Sequence, residues 1–252
     1  MKTSLVLPSK GRPWLWFRML NSALTNAAYP GEIKIYTGFT QGDPTIPEYH
    51  KITEELYKRG YGVPDFVTFD EFKPEHKGRF IWNELALQAV AEGADFVWAG
   101  SDDVLFTSAV WDKTLARIAQ QADKVWPDKN YFIWGEDGSC GARHATHPFV
   151  RSNWITTLGK LFPECCQHFD GDTFLTELGR ELKRGIFTPD IYTKHDNPKY
   201  TGGQHDATWH ATKPLQKVDY DSYRGPTGKA EVTDSFNKLR AAMASPHMAP
   251  RS

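Results

Sequence analysis

Asp95-Phe-Val-Trp-Ala-Gly-Ser-Asp-Asp-Val-Leu-Phe106 decides how this chain is read. Phe96, Val97 and Trp98 form an apolar run, and the pattern predicts a buried strand. Ala99 and Gly100 are small enough to let another group approach the backbone. Asp102 and Asp103 then stand where the strand leaves its sheet. In open α/β sheets that carboxyl edge is where ligands bind. Adjacent acids there suit a hard divalent cation that also holds substrate phosphates. The competing structural reading is a helix N-cap, since Asp before a helical segment is common. The dipeptide alone admits both.

Working outward, the segment Gly78 to Glu92 carries Trp82, Leu85, Ala86, Ala89 and Val90 on one face, a helical stripe closed by Gly93. Further back, Ser4–Leu7 reads as a short buried strand. The turn Pro8-Ser-Lys-Gly-Arg-Pro13 follows, with Pro13 suited to the first position of a helix. That helix has Trp16, Leu20, Ala23, Leu24 and Ala27 at helical spacing and ends at Pro30-Gly31. Glu32–Tyr36 and Asp65–Phe69 are two further strands, separated by a Gly- and Pro-containing loop and a helix over Glu48–Arg59. Strand and helix thus alternate up to Asp103. This predicts an α/β fold with a mostly parallel central sheet flanked by helices, in a single domain.

Beyond it, the pattern predicts a helix over Ser108–Ala122, a strand over Tyr131–Trp134 and a polar loop over Gly135–His147. Helices follow over Arg151–Lys160 and Asp172–Lys183, then a strand over Ile186–Tyr192. We place the domain at residues 1–212. Residues 213–252 form a C-terminal extension with an amphipathic segment over Val232–Met243.

The chain has 252 residues, 40% hydrophobic and 24% charged, with a net charge of −1, so no global basic field announces nucleic acid. Cys140, Cys165 and Cys166 are odd in number and two are neighbours, which argues against a disulfide framework and for a reducing compartment. The N-terminal apolar run is too short for a signal peptide, and no stretch approaches the roughly 18 apolar residues of a membrane span. The expectation is a cytoplasmic protein without a membrane partner. Nine tryptophans serve mainly core filling, with some faces left for stacking on sugars or bases.

Gly-Lys-Ser/Thr of a phosphate-binding loop is absent, and the first turn has one glycine, short of a dinucleotide fingerprint. A nucleotide-sugar transferase needs other things: acids holding a metal against the diphosphate, polar groups after the first strand, and a base for the acceptor hydroxyl. A nucleotidyltransferase on a related sheet also uses paired acids, but its first loop is usually richer in glycine. A non-catalytic nucleotide-sugar binding module is the third class.

Leu5-Val-Leu-Pro-Ser-Lys-Gly-Arg-Pro13 resembles the opening strand and loop of GT-A fold glycosyltransferases. Trp82-Asn83-Glu84 with Ala94–Asp103 resembles their helix and DxD-type motif. His168-Phe-Asp-Gly-Asp172 resembles the acceptor-side acid of inverting, family-2-like members, and Asp190–His195 their late strand ending in a metal-binding His. The similarity spans residues 3–210 and extends, more loosely, to compact glycosyltransferases of tailed bacteriophages.

The resemblance implies Mn²⁺ or Mg²⁺ held by Asp103 and His195, with Asp102 on the ribose or a metal-bound water. Ser101 stands where the motif usually has its first acid, and His205, Asp206 or His210 are alternatives to His195. Pro8, Ser9, Lys10, Arg12, Arg79, Asn83 and Ser101 would bind the donor, a nucleotide diphosphate sugar and foremost a UDP-sugar. Arg79 and Asn83 are one helical turn apart and share a face. Asp172 would be the general base, with Asp170 as fallback; as a helix start, Asp172 also reads as a cap. Trp134, His144, His147, Asp170 and Trp209 would shape the acceptor pocket. The acceptor is a glycan, a protein or a hydroxymethyl pyrimidine in phage DNA. For DNA, the basic runs Lys73–Arg79, Arg180–Arg184 and Lys194–Lys199 would supply phosphate contacts.

Overall fold

The computed structural model describes residues 1–58, 67–196 and 206–244. Its strands are β1 (Thr3–Pro8), β2 (Ile33–Thr40), β3 (Val67–Phe72), β4 (Phe96–Ala99), β5 (Val104–Phe106), β6 (Phe132–Glu136), β7 (Phe149–Arg151) and β8 (Gly185–His195). The helices are α1 (Pro13–Thr25), α2 (Ile46–Lys58), α3 (Gly78–Ala91), α4 (Trp111–Val125), α5 (Ser152–Leu158), α6 (Gly171–Leu182), α7 (Ala207–Thr212), α8 (Leu215–Arg224) and α9 (Pro226–Ala244).

The strands form one sheet in the order β3-β2-β1-β4-β7-β6-β8-β5. Strand periodicity explains its two covered faces. Leu5 and Leu7 of β1, with Phe96 and Trp98 of β4, enter a core under α1, α2 and α4. The intervening Val6, Val97 and Ala99 enter a second core under α3, α5 and α6. Tyr223 of α8 and Leu239 of α9 join that second core. The helices match the sequence stripes: α1 buries Trp16, Met19, Leu20, Ala23 and Leu24.

Two expectations need correction. The sheet is mixed rather than mostly parallel. β1–β2, β2–β3, β1–β4 and β6–β8 run parallel. β4–β7, β6–β7 and β5–β8 run antiparallel. The reversal enters through β7, three residues long and too short to show a period. The stretch from Asp95 to Phe106 is likewise two strands: β4 ends at Ala99, and β5 pairs instead with β8 at the far edge. The acids lie at the turn between them. Asp65 and Phe66 of the expected third strand, Arg59, and residues 197–205, including His205, fall outside the described residues.

Candidate active site

β1 lies between β2 and β4 and is parallel to both, so the chain departs from it in opposite directions on its two sides. Such a reversal opens a crevice at the carboxyl ends of the strands. The turn after β1 and the acids after β4 meet there. Ser9 Oγ donates to Asp102 Oδ2 at 2.7 Å and lies 2.8 Å from the Tyr49 hydroxyl. Arg12 Nη1 donates to Asp102 Oδ1 at 3.1 Å. The same guanidinium reaches both oxygens of Asp206, the N-cap of α7, at 2.6 Å each. Asp102 is 4% exposed, and both its oxygens are engaged. Burial, with the neighbouring charge of Asp103, pushes its carboxyl above the ordinary range against the pull of Arg12.

Asp103 faces the other way. Its Oδ1 accepts from Ser101 Oγ and lies 3.4 Å from His195 Nε2. Strand register makes this meeting: Val104 of β5 pairs with His195 of β8, across some ninety residues of chain. His147 Nε2 lies 3.2 Å from the same Ser101 hydroxyl, and its ring stands edge-on to His195 with centroids 4.7 Å apart. Burial opposes the charge of Asp103, but His195 and Ser101 outweigh it and hold the carboxyl below its usual range. Burial pushes His147 down to about 3, so that ring is neutral. His195 is also penalised by burial, yet Asp103 carries it above its ordinary value.

A second wall comes from the loop before α6 and the first turn of that helix. Asp172 Oδ1 accepts from Thr173 N at 2.8 Å, and His144 Nε2 lies 3.0 Å from Asp172 Oδ2. Burial works against the Asp172 charge, but the His144 contact lowers its carboxyl. Phe162 packs so close to Gly171 that a Cβ there would sit 2.7 Å from the ring, which explains the glycine between the two acids. Burial raises Asp170 and drives His168 down to about 4. Together these loops and α7 enclose a cavity of about 740 Å³.

The structure brings Pro8, Ser9, Lys10, Arg12, Ser101, Asp102, Asp103, His147, Asp170, Asp172, His195 and Trp209 to that cavity. It takes four others elsewhere, among them His144, which is not in the cavity lining and has its Nε2 3.0 Å from Asp172 Oδ2. Asn83 is buried in α3, its Oδ1 accepting from Leu161 N and Phe162 N at 3.0 and 2.8 Å. Arg79 Nε donates to Cys166 O at 2.8 Å. Trp134 Nε1 donates to Gly141 O at 3.0 Å, and its ring lies on Phe132 and Phe187. Asn83, Arg79 and Trp134 each commit a side-chain polar atom to backbone. Asp43 and Thr208 line the cavity without a sequence expectation. Asp43 Oδ2 accepts from Gly11 N at 2.9 Å, and Thr208 Oγ1 donates to Lys10 O at 3.0 Å. Asp43 sits in a Gly-Asp-Pro-Thr turn, a local signal for a carboxylate that orders a loop.

A metal fits this site in part. Among the described residues no group of three or more His, Cys, Asp or Glu side chains forms a metal cage. Asp103 Oδ1 and His195 Nε2 lie 3.4 Å apart, somewhat wider than the roughly 3.0 Å between adjacent ligands of an octahedral cation with bonds of about 2.0–2.1 Å. A cation of that kind takes few protein ligands and completes its shell with waters and substrate phosphates. Among the described residues no helix is long and apolar enough to cross a membrane.

No protein-family model and no curated protein sequence matches the chain. Solved structures share its fold. S. aureus TarS 1-349 in complex with UDP superposes with a TM-score of 0.57 at 11% identity, over 95% of this chain and 71% of that one. The mannosyltransferase PcManGT from Pyrobaculum calidifontis, in complex with GDP-Man and Mn²⁺, gives 0.52 at 14% identity, over 98% and 76%. GalNAc-T7 with UDP, GalNAc and Mn²⁺ gives 0.53 at 11% identity, over 96% and 56%. The shared architecture is the GT-A fold expected from the sequence, with the mixed sheet described above.

Proposed function

We propose that the chain is a glycosyltransferase that moves a sugar from a nucleoside diphosphate sugar to an acceptor hydroxyl with inversion. The observation that carries this is that one cavity is lined by two acidic groups, Asp102–Asp103 with His195, and Asp172. Neighbours of the same fold hold UDP, or GDP-Man with Mn²⁺, in their crystals.

In this reading the nucleotide lies in the crevice between the ends of β1 and β4, against Ser9, Lys10 and Arg12. Asp103 and His195 would hold Mn²⁺ or Mg²⁺. The bound cation supplies neutralisation of the charge that builds on the departing diphosphate. Asp172 removes the proton from the acceptor hydroxyl as its oxygen attacks the sugar carbon from the face opposite the diphosphate. The new C–O bond forms while the bond to the phosphate oxygen breaks, and the nucleoside diphosphate leaves. The acceptor is a hydroxyl on a glycan, a protein or a modified pyrimidine.

Thermal shift with UDP-sugars, other nucleotide sugars and NTPs, with and without Mn²⁺, tests the donor. A millimolar ligand at a hundred times its Kd stabilises the fold by about 2.7 kcal/mol. A rise in Tm with a nucleotide sugar, larger with Mn²⁺, is expected, as is its loss in D103N. A shift with NTPs alone favours nucleotidyl transfer, and no shift with any nucleotide sugar removes the proposal. Mass spectrometry with glycan, protein and hydroxymethylated DNA acceptors then identifies the product.

A further inference from the structure

We infer that His144 is the positioning residue for Asp172, holding that carboxylate in one orientation from behind the cavity wall. The inference rests on the reading of Asp172 as the base. Asp172 lines the cavity and His144 does not. The imidazole Nε2 lies 3.0 Å from Asp172 Oδ2, while Oδ1 takes the N–H of Thr173. Each carboxylate oxygen thus has one fixed partner and keeps a lone pair for a further donor.

The other side of the ring shows how His144 is itself held. Its Nδ1 lies 3.4 Å from Thr176 Oγ1, one turn further along α6. That hydroxyl donates its proton to Asp172 O at 2.7 Å and accepts from Ala145 N at 3.0 Å. A threonine hydroxyl has one proton to give, so towards Nδ1 it is an acceptor. Nδ1 then carries a proton, and Nε2 carries one towards the carboxylate. With both nitrogens protonated the ring is an imidazolium, the form that pairs with an ionised carboxylate across the 3.0 Å contact. The Asp172 contact, working against burial, raises His144 above its ordinary value. The titratable groups around the pair are Arg180 of α6 and Asp137 of the loop after β6 on the His144 side, and Asp170, His147 and His195 on the Asp172 side.

A structural pin and a positioning residue differ in what they do to titration. In the full chain, NMR of the His144 ring follows its protonation in wild type and in the isosteric variant D172N. D172N is expected to lower the His144 titration midpoint, and H144Q to raise that of the Asp172 carboxyl. Neither measurement needs a donor. For turnover, nucleoside diphosphate release is followed against pH. H144Q is expected to lower kcat about tenfold, to move the acid limb to higher pH and to leave KM for the donor unchanged. An unmoved His144 midpoint in D172N overturns the inference, and so does an H144Q enzyme with the wild-type kcat and acid limb. A wild type that shows the titration coupling but turns over no nucleotide sugar sinks the transfer reading and leaves the pairing of His144 with Asp172 established.

Discussion

The two walls of the cavity are built on different principles. The wall carrying Asp102 and Asp103 grows from the ends of β1 and β4, adjacent parallel strands buried on both faces. The wall carrying Asp170 and Asp172 does not grow from a strand end. Residues 161–169 run up to α6 as a loop whose N–H groups are taken by three side chains from three helices. Asn83 of α3 takes the N–H groups of Leu161 and Phe162. Glu231 of α9 takes those of Glu164 and Cys165. Asp219 of α8 takes those of Gln167, His168 and Phe169, each at 2.8 Å. Hydrogen bonds that a sheet would distribute along a ladder are gathered here onto single acceptors. The first wall depends on many apolar contacts, and the second on a few polar atoms.

Asp219→Ala breaks this contrast most severely. Asp219 is fully buried, and its loss leaves three backbone donors without acceptors. Unsatisfied buried groups cost about 1–3 kcal/mol each when they cannot reach water. Because the loop can open to solvent, a total of about 3 kcal/mol is expected, read as a lower midpoint in urea unfolding. Hydrogen exchange should speed up at residues 167–169 and stay slow in β1 and β4. A variant as stable as wild type would mean that this wall has another support.

The same contrast separates what the sequence shows from what it hides. Helical and strand periods locate β1, α1, α3 and β4, and with them Ser9, Arg12, Asp102 and Asp103, because each period is written in neighbouring residues. Asp172 is legible as an acid at a helix start. Its partner His144 lies 28 positions back in a polar loop with no period of its own. Asn83 misleads because its position on α3 suits a nucleoside contact equally well, and its real partners are 78 and 79 residues away. Asp219 and Glu231 give no local sign of their targets at all. The pairing of His195 with Asp103 depends on β5–β8 register, which no single stretch encodes.

A smaller effect is expected one loop away, where Asp137 repeats the device beneath His144 and His147. Its Oδ1 accepts from the N–H groups of Ser139, Cys140 and Gly141, and its Oδ2 from Thr146 Oγ1. Burial opposes the charge, but Thr146 and these N–H groups outweigh it and hold the carboxyl below the ordinary range. A carboxyl lowered in the folded state stabilises it above the unfolded value, near pH 4, and loses that contribution as pH falls through the folded value. Asp137→Asn should therefore cost about 2 kcal/mol at neutral pH. The gap to wild type should begin to narrow below about pH 5 in acid unfolding and disappear only once pH falls below the lowered folded value. A gap constant with pH would mean that Asp137 contributes through shape rather than charge.

Trp134→Phe gives the smallest effect and sharpens the comparison from the other side. An aromatic ring near a sugar site invites a stacking role, yet this one lies on Phe132 and Phe187, outside the cavity. Phenylalanine keeps that packing and loses the hydrogen bond to Gly141 O, a net cost of about 1 kcal/mol. Affinity for a nucleoside diphosphate should stay within about twofold, since a change of that size is below 0.5 kcal/mol. Calorimetric titration of both proteins measures it. A tenfold weaker variant of unchanged stability would put Trp134 in the binding wall, and the division between a sheet-built wall and a clamped one would have to be redrawn around β6.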